Sequence, residues 1–210
     1  MLFKICGLKE INTVEFCEKK NVDFFGMIFY DKSPRNITLI QAQKLVEFSK
    51  NKNIKPVGVF VNENLEVIKS LINNLDLKYV QLHGKENDEY INDIKNNSDL
   101  KVIKSISIKN KKDFKKINNY QKNDYFLLDY KPEKDDLPGG NAKQFDWSLL
   151  SNIKINKPWF LSGGINILNI NQINIYANPN GIDLSSGVEE APGIKNLRMI
   201  NNLFKKYYAS

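Results

Sequence analysis

The hydrophobic positions of this chain gather into short dense runs separated by longer stretches of mixed polarity. LFKIC, DFFGMIF, KPVGVFV, KYVQLHG, KVIKSISI, DYFLLDY, KPWFLSGG and GIDLSSG recur at a near-regular interval and are rich in apolar and β-branched residues. Runs of this composition and length read as strands. The stretches between them carry helical spacing and helix-start signals. Asn12 with Glu15 and Thr38 with Gln41 have the spacing of a capping box, and Leu39, Ala42, Leu45 and Val46 share one face after the second pair. Eight strand-then-helix units, with no Asn-Gly hairpin turn between them, predict an α/β fold: a single (β/α)8 TIM barrel of parallel strands occupying residues 1–210 as one domain.

A barrel of this kind builds its active site on the loops at the C-terminal ends of its strands. Polar residues and glycines replace apolar ones at those ends here: Cys6-Gly7, Asp31 to Asn36, Val61-Asn62, His83-Gly84, Asp129, Ser162-Gly163-Gly164 and Ser185-Ser186-Gly187. Side chains two apart on a strand share a face, so Lys4 goes with Cys6, Gln81 with His83, Leu127 with Asp129, and Asp183 with Ser185. A lysine and an aspartate below the rim are costly to bury singly and tolerable when paired or shared with Gln81. Lys4 and Asp183 therefore read as a structural network, with an electrostatic effect on the rim as a possible accompaniment.

The ends of strands seven and eight, LSGG and LSSGVEE, give the clearest binding signal. Glycines let backbone N–H groups approach an anion, and these two loops hold a phosphate in many barrels. The expected cradle is Gly163, Gly164, Ser185, Ser186 and Gly187, with VEEAPG as the short extra helix beside it. KPEKDDLPGGNAKQF, after strand six, is long enough to cover a site.

Composition narrows the chemistry. A single histidine, His83, cannot furnish a multi-histidine metal site, so no metal is expected. The net charge of +7 comes from lysines scattered among asparagines without interleaved aromatics, which argues against nucleic acid. No run approaches the ~20 apolar residues of a membrane span, and the N-terminal stretch lacks a signal-peptide core, so a cytoplasmic setting away from membranes is expected. Cys6 and Cys17 then remain free thiols, Cys17 at core spacing from Val14 as buried filler.

In order and nearly chain-wide, KICG, SPRNI, GVFVN, VQLHG, LLD, PGG with KQFDW, LSGGI and DLSSGVEEAPGIKN resemble the phosphoribosylanthranilate isomerase family of tryptophan biosynthesis. One departure is Ala142, where the family usually has a further glycine before the lysine of that loop. The resemblance implies an Amadori rearrangement of N-(5-phosphoribosyl)anthranilate to 1-(2-carboxyphenylamino)-1-deoxyribulose 5-phosphate. It implies Cys6 as general base, Asp129 as general acid and Arg35 as the partner of the anthranilate carboxylate. The phosphate would fall to the glycine turns, with Asp183 beside them. His83 either lines the site, meeting substrate or Asp129, or caps its own strand. A thiol base needs accessible thiolate, for which Lys4 is one source of positive potential, and Cys6 is accordingly expected at an open mouth. No step calls for a cofactor, and the expected partner is a phosphorylated small molecule, bound by a monomer or homodimer. The related barrel isomerase of histidine biosynthesis fits less well, since it uses aspartate in place of Cys6 and needs a second phosphate cradle. A non-catalytic phospholigand-binding barrel would not need both Cys6 and Asp129.

Overall fold

The computed structural model describes residues 1–96, 98–133, 139–140, 143–151 and 153–209. Eight strands form in the predicted order: β1 (Leu2–Cys6), β2 (Phe24–Phe29), β3 (Lys55–Phe60), β4 (Tyr79–Leu82), β5 (Lys101–Ile108), β6 (Tyr125–Tyr130), β7 (Trp159–Leu161) and β8 (Gly181–Leu184). Each pairs in parallel with its neighbour, and β1 closes the barrel on β8, with Lys4 opposite Asp183 in that register.

The helical layer is less regular than the sequence pattern suggests. α1 (Ile11–Glu18), α2 (Leu39–Ser49), α3 (Leu65–Leu75) and α4 (Asp88–Lys95) follow the first four strands. Thr38 and Gln41 form the expected reciprocal box at the start of α2, whose Ala42 and Leu45 are buried. Asn12 and Glu15 do not: α1 starts at Ile11 behind an uncapped Glu10, because burial of Thr13, Val14 and Cys17 fixes which turn comes first. After β5 the chain forms a 3-10 helix, Lys111–Asn119, in place of an α-helix. Its two large apolar residues, Phe114 and Ile117, stand three apart and so stack on one edge of a three-residue turn. After β6 and β7 only 3-10 turns (Trp147–Leu150 and Ile170–Gln172) and a single turn of α5 (Ile173–Tyr176) occur, and α6 (Leu197–Tyr208) follows β8. Among the described residues no helix is long and apolar enough to cross a membrane.

One apolar layer lies between sheet and helices, and a second fills the barrel. At the N-terminal end of the barrel Phe24 packs on Tyr79 at 5.0 Å between ring centroids and on Phe160 at 6.0 Å, and Tyr125 joins Phe160 at 5.9 Å. These rings make a floor. Above them Val57, Val59, Ile103 and Leu127 give way to polar side chains at the opposite end.

Candidate active site

Strand parity delivers the expected inward residues to the C-terminal mouth. One lobe of the cleft there is lined by Cys6, Arg35, Gln81 and His83 with apolar Ile28, Val59 and Val61. The other is lined by Tyr130, Lys143, Gly163, Gly164, Ser186 and Gly187. Asp129, Ser162, Asp183 and Ser185 belong to both.

Cys6 ends β1 with only 5% of its surface exposed. Its Sγ occupies space that β2 vacates, since a Cβ on Gly26 would stand 2.6 Å from it. Beneath it Lys4 donates to Asp183 Oδ1 at 2.8 Å, and Ser162 Oγ donates to Asp183 Oδ2 at 3.3 Å. The Lys4–Asp183 pairing agrees with the sequence reading, whereas Gln81 takes no part in it. The expectation of an open, readily ionised thiol is corrected. Burial pushes the Cys6 thiol upward, and the opposing pull of Lys4 and Lys195 does not overcome it. Cys17 is core filler, as expected, with burial raising its thiol to about 12.

Asp129 is held from three sides. The N–H of Tyr130 donates to Oδ1 at 2.8 Å, and His83 Nε2 lies 3.2 Å from Oδ2. Gly163, with φ of +89°, crosses so closely that a Cβ would be 2.8 Å from Oδ1. The opposite nitrogen of His83, Nδ1, is 2.8 Å from the Gln81 amide nitrogen. His83 thus lines the site and meets Asp129, which closes the alternative left open by its sequence.

Arg35 is not a solvated loop residue: 4% of it is exposed. The glycine of KICG explains how it fits, because a Cβ on Gly7 would lie 2.8 Å from Arg35 Cδ. Its guanidinium donates from Nε and Nη2 to the two carboxylate oxygens of Glu189 at 2.8 and 2.7 Å, and from Nη2 to the Gly140 carbonyl at 3.2 Å. Lys195 donates to the same Glu189 at 2.6 Å and to the Ser185 carbonyl at 3.0 Å. Burial raises the Glu189 carboxyl, but the Arg35 and Lys195 contacts outweigh it and hold it below its usual range.

The glycine turns converge as expected. Gly164 sits beneath the peptide joining Lys143 to Gln144, where a Cβ would meet the Gln144 nitrogen at 2.9 Å, and its carbonyl accepts from Asn166 and Asn169, each at 3.0 Å. Gly187 lies against the Ile165 carbonyl with no room for a side chain. VEEAPG is not a helix. After a 3-10 turn at Ser186–Val188 the chain makes an antiparallel hairpin, β9 (Glu189–Ala191) and β10 (Ile194–Lys195). Pro192-Gly193, with Gly193 at φ of +85°, is a turn dipeptide, and it was the available sign that Glu189 and Lys195 would face one another across two strands. Both were missed as site residues. Ala142 lies outside the described residues.

The sequence profile of the N-(5'phosphoribosyl)anthranilate (PRA) isomerase family matches residues 3–206. The chain belongs to the phosphoribosylanthranilate isomerase family. It is accordingly an isomerase of tryptophan biosynthesis. A relative named N-(5'-phosphoribosyl)anthranilate isomerase, from Paramagnetospirillum magneticum, is 35% identical over 204 residues, 96% of this chain and 94% of its own length. The phosphoribosylanthranilate isomerase of Thermotoga maritima superposes with a TM-score of 0.88 at 32% identity, covering 100% of both chains. An isomerase of this family solved in complex with reduced 1-(o-carboxyphenylamino)-1-deoxyribulose 5-phosphate superposes with a TM-score of 0.83 at 31% identity over 100% of both chains.

Proposed function

We propose that the chain converts N-(5-phosphoribosyl)anthranilate to 1-(2-carboxyphenylamino)-1-deoxyribulose 5-phosphate with Asp129 as general acid and Cys6 as general base. The observation that carries this reading is the two-lobed cleft: glycine turns at one end, Arg35 and apolar side chains at the other, and both reactive groups on its wall. A phosphate suits the backbone donors of the first lobe, and an aromatic carboxylate suits the second.

Asp129 gives its proton to the furanose ring oxygen as the C1–O bond breaks, and the anilino nitrogen lone pair forms the iminium. Cys6, its own proton passed to solvent through the mouth of the cleft as the iminium forms, then removes the C2 proton as thiolate, and the electrons of that C–H bond neutralise the iminium to give the enolamine. Tautomerisation yields the ketone. The cationic iminium favours the thiolate at the step where it is needed, which offsets the burial that disfavours it beforehand. His83 holds the carboxyl of Asp129 in place. Residues 1–210 act in this reading as one catalytic domain.

The test follows the fluorescence lost as freshly made substrate is consumed. Cys6→Ser and Asp129→Asn should each lower kcat by about 10²–10⁴, with affinity for a phosphate-bearing product analogue retained. Near-normal turnover in either variant would refute the assigned roles.

A further inference from the structure

Arg35, Glu189 and Lys195 make a buried three-charge group beside the cleft, their side chains 4%, 4% and 3% exposed. An arginine paired with a carboxylate through Nε and Nη2 is already satisfied and electrically neutral. Such a pair has little reason to accept a second carboxylate. Lys195 changes the balance: burial pulls its ammonium below the usual lysine range and the Glu189 carboxylate, 2.6 Å away, opposes that loss; with its proton kept, two cations share one anion and the group carries one net positive unit in a place shielded from water. A buried unbalanced charge is costly, and an anion that reaches it removes that cost. The guanidinium corner left over by Glu189, Nη1, packs against Gly140 on the cleft wall.

We propose that Lys195 is a specificity-determining positioning residue: by engaging Glu189 it leaves Arg35 with the net positive charge that selects a ligand bearing an aromatic carboxylate. The hairpin provides the means. Lys195 on β10 stands across from Glu189 on β9, and its ammonium also reaches Ser185, whose hydroxyl donates to the Cys6 carbonyl at 3.2 Å. The same side chain therefore ties the arginine end of the cleft to the end of β1. The inference rests on the reading of Arg35 as the carboxylate partner.

The experiment measures affinities of two unreactive ligands, the reduced o-carboxyphenylamino deoxyribulose 5-phosphate and its counterpart lacking the ring carboxyl. The wild-type chain should favour the carboxylated ligand, and Arg35→Ala should abolish the preference. Lys195→Met should cut that preference by about tenfold or more while leaving affinity for the carboxyl-free ligand little changed. Lys195→Gln, which retains hydrogen-bonding capacity without charge, should do the same and serves if the methionine variant fails to fold. Lys195→Arg should restore the preference. An equal loss for both ligands, or a preference kept in Lys195→Gln, overturns the inference while the reading of Arg35 stands. A wild-type chain with no preference overturns both.

Discussion

His83 Nε2 stands 3.2 Å from Asp129 Oδ2, and the amide nitrogen of Gln81 stands 2.8 Å from Nδ1 of the same imidazole. Gln81 is itself buried, so the ring is fixed between a rigid amide and the proposed acid. Replacing His83 with alanine should lower kcat, by less than Asp129→Asn does, with a smaller change in KM. Steady-state kinetics decides the matter: a change confined to KM would make His83 a substrate contact and not a support for Asp129.

The two thiols should differ in reactivity, and the order is set by burial. Because burial raises Cys6, the unliganded chain holds it as a thiol at neutral pH. Iodoacetamide labelling of Cys6 should be slow at pH 7 and accelerate as pH rises past the ordinary thiol value of about 8.5. Cys17, with none of its surface exposed while Cys6 lines the cleft, should lag behind throughout. Peptide mapping across a pH series reads both rates, and rapid labelling of Cys6 at neutral pH would contradict the burial argument.

Asp113 links the pH scale to stability. Its carboxylate accepts from the backbone N–H groups of Lys109 and Asn110 and from Lys116 at 2.7 Å. Burial raises the group, but these contacts outweigh it and hold the pKa at about 2, below the usual 3.8. The stabilisation is therefore complete above the unfolded value and is lost as pH falls through the folded one. Asp113→Asn should cost about 1–2 kcal/mol at neutral pH, the order contributed by a carboxyl held down from 3.8 to about 2. Urea melts should show the difference from wild type shrinking as pH falls from about 4 towards 2 and disappearing only below it.

Below the rim, Lys4, fully buried, and Asp183, nearly fully buried at the cleft wall, neutralise one another. Lys4→Met should destabilise by about 3–5 kcal/mol, because it strands a buried carboxylate. Lys4→Met with Asp183→Leu should recover much of that loss in thermal melts. No recovery would mean that the pair is required by the surrounding packing and not simply by mutual charge.

The eight strands were legible because apolar, β-branched runs separated by helical spacing depend on local sequence alone. Cys6 and Asp129 stood out as polar residues at strand ends, and parity then put Lys4 with Cys6 and Asp183 with Ser185. The helical layer was less legible, since 3-10 or α geometry after β5 to β7 depends on how Phe114 and Ile117 pack on the barrel. The state of Cys6 was misjudged for a related reason. Its lysine neighbour is visible on the same strand, but the enclosure that outweighs it is made by other strands and is written nowhere near residue 6. Glu189 and Lys195 escaped notice because charge pairing across a hairpin cannot be seen until Pro192-Gly193 is read as its turn.

The aromatic floor of Phe24, Tyr79, Tyr125 and Phe160 has a kinetic corollary. With that end of the barrel filled by packed rings, the mouth is the way among the described residues by which a molecule held against Cys6 and Asp129 arrives and departs. Ketose leaving and aldose entering must use the same doorway and the same glycine turns, so neither can be admitted while the other is in residence. Accumulating product should therefore slow the reaction in a way that excess substrate fully reverses, raising apparent KM and leaving the limiting rate untouched.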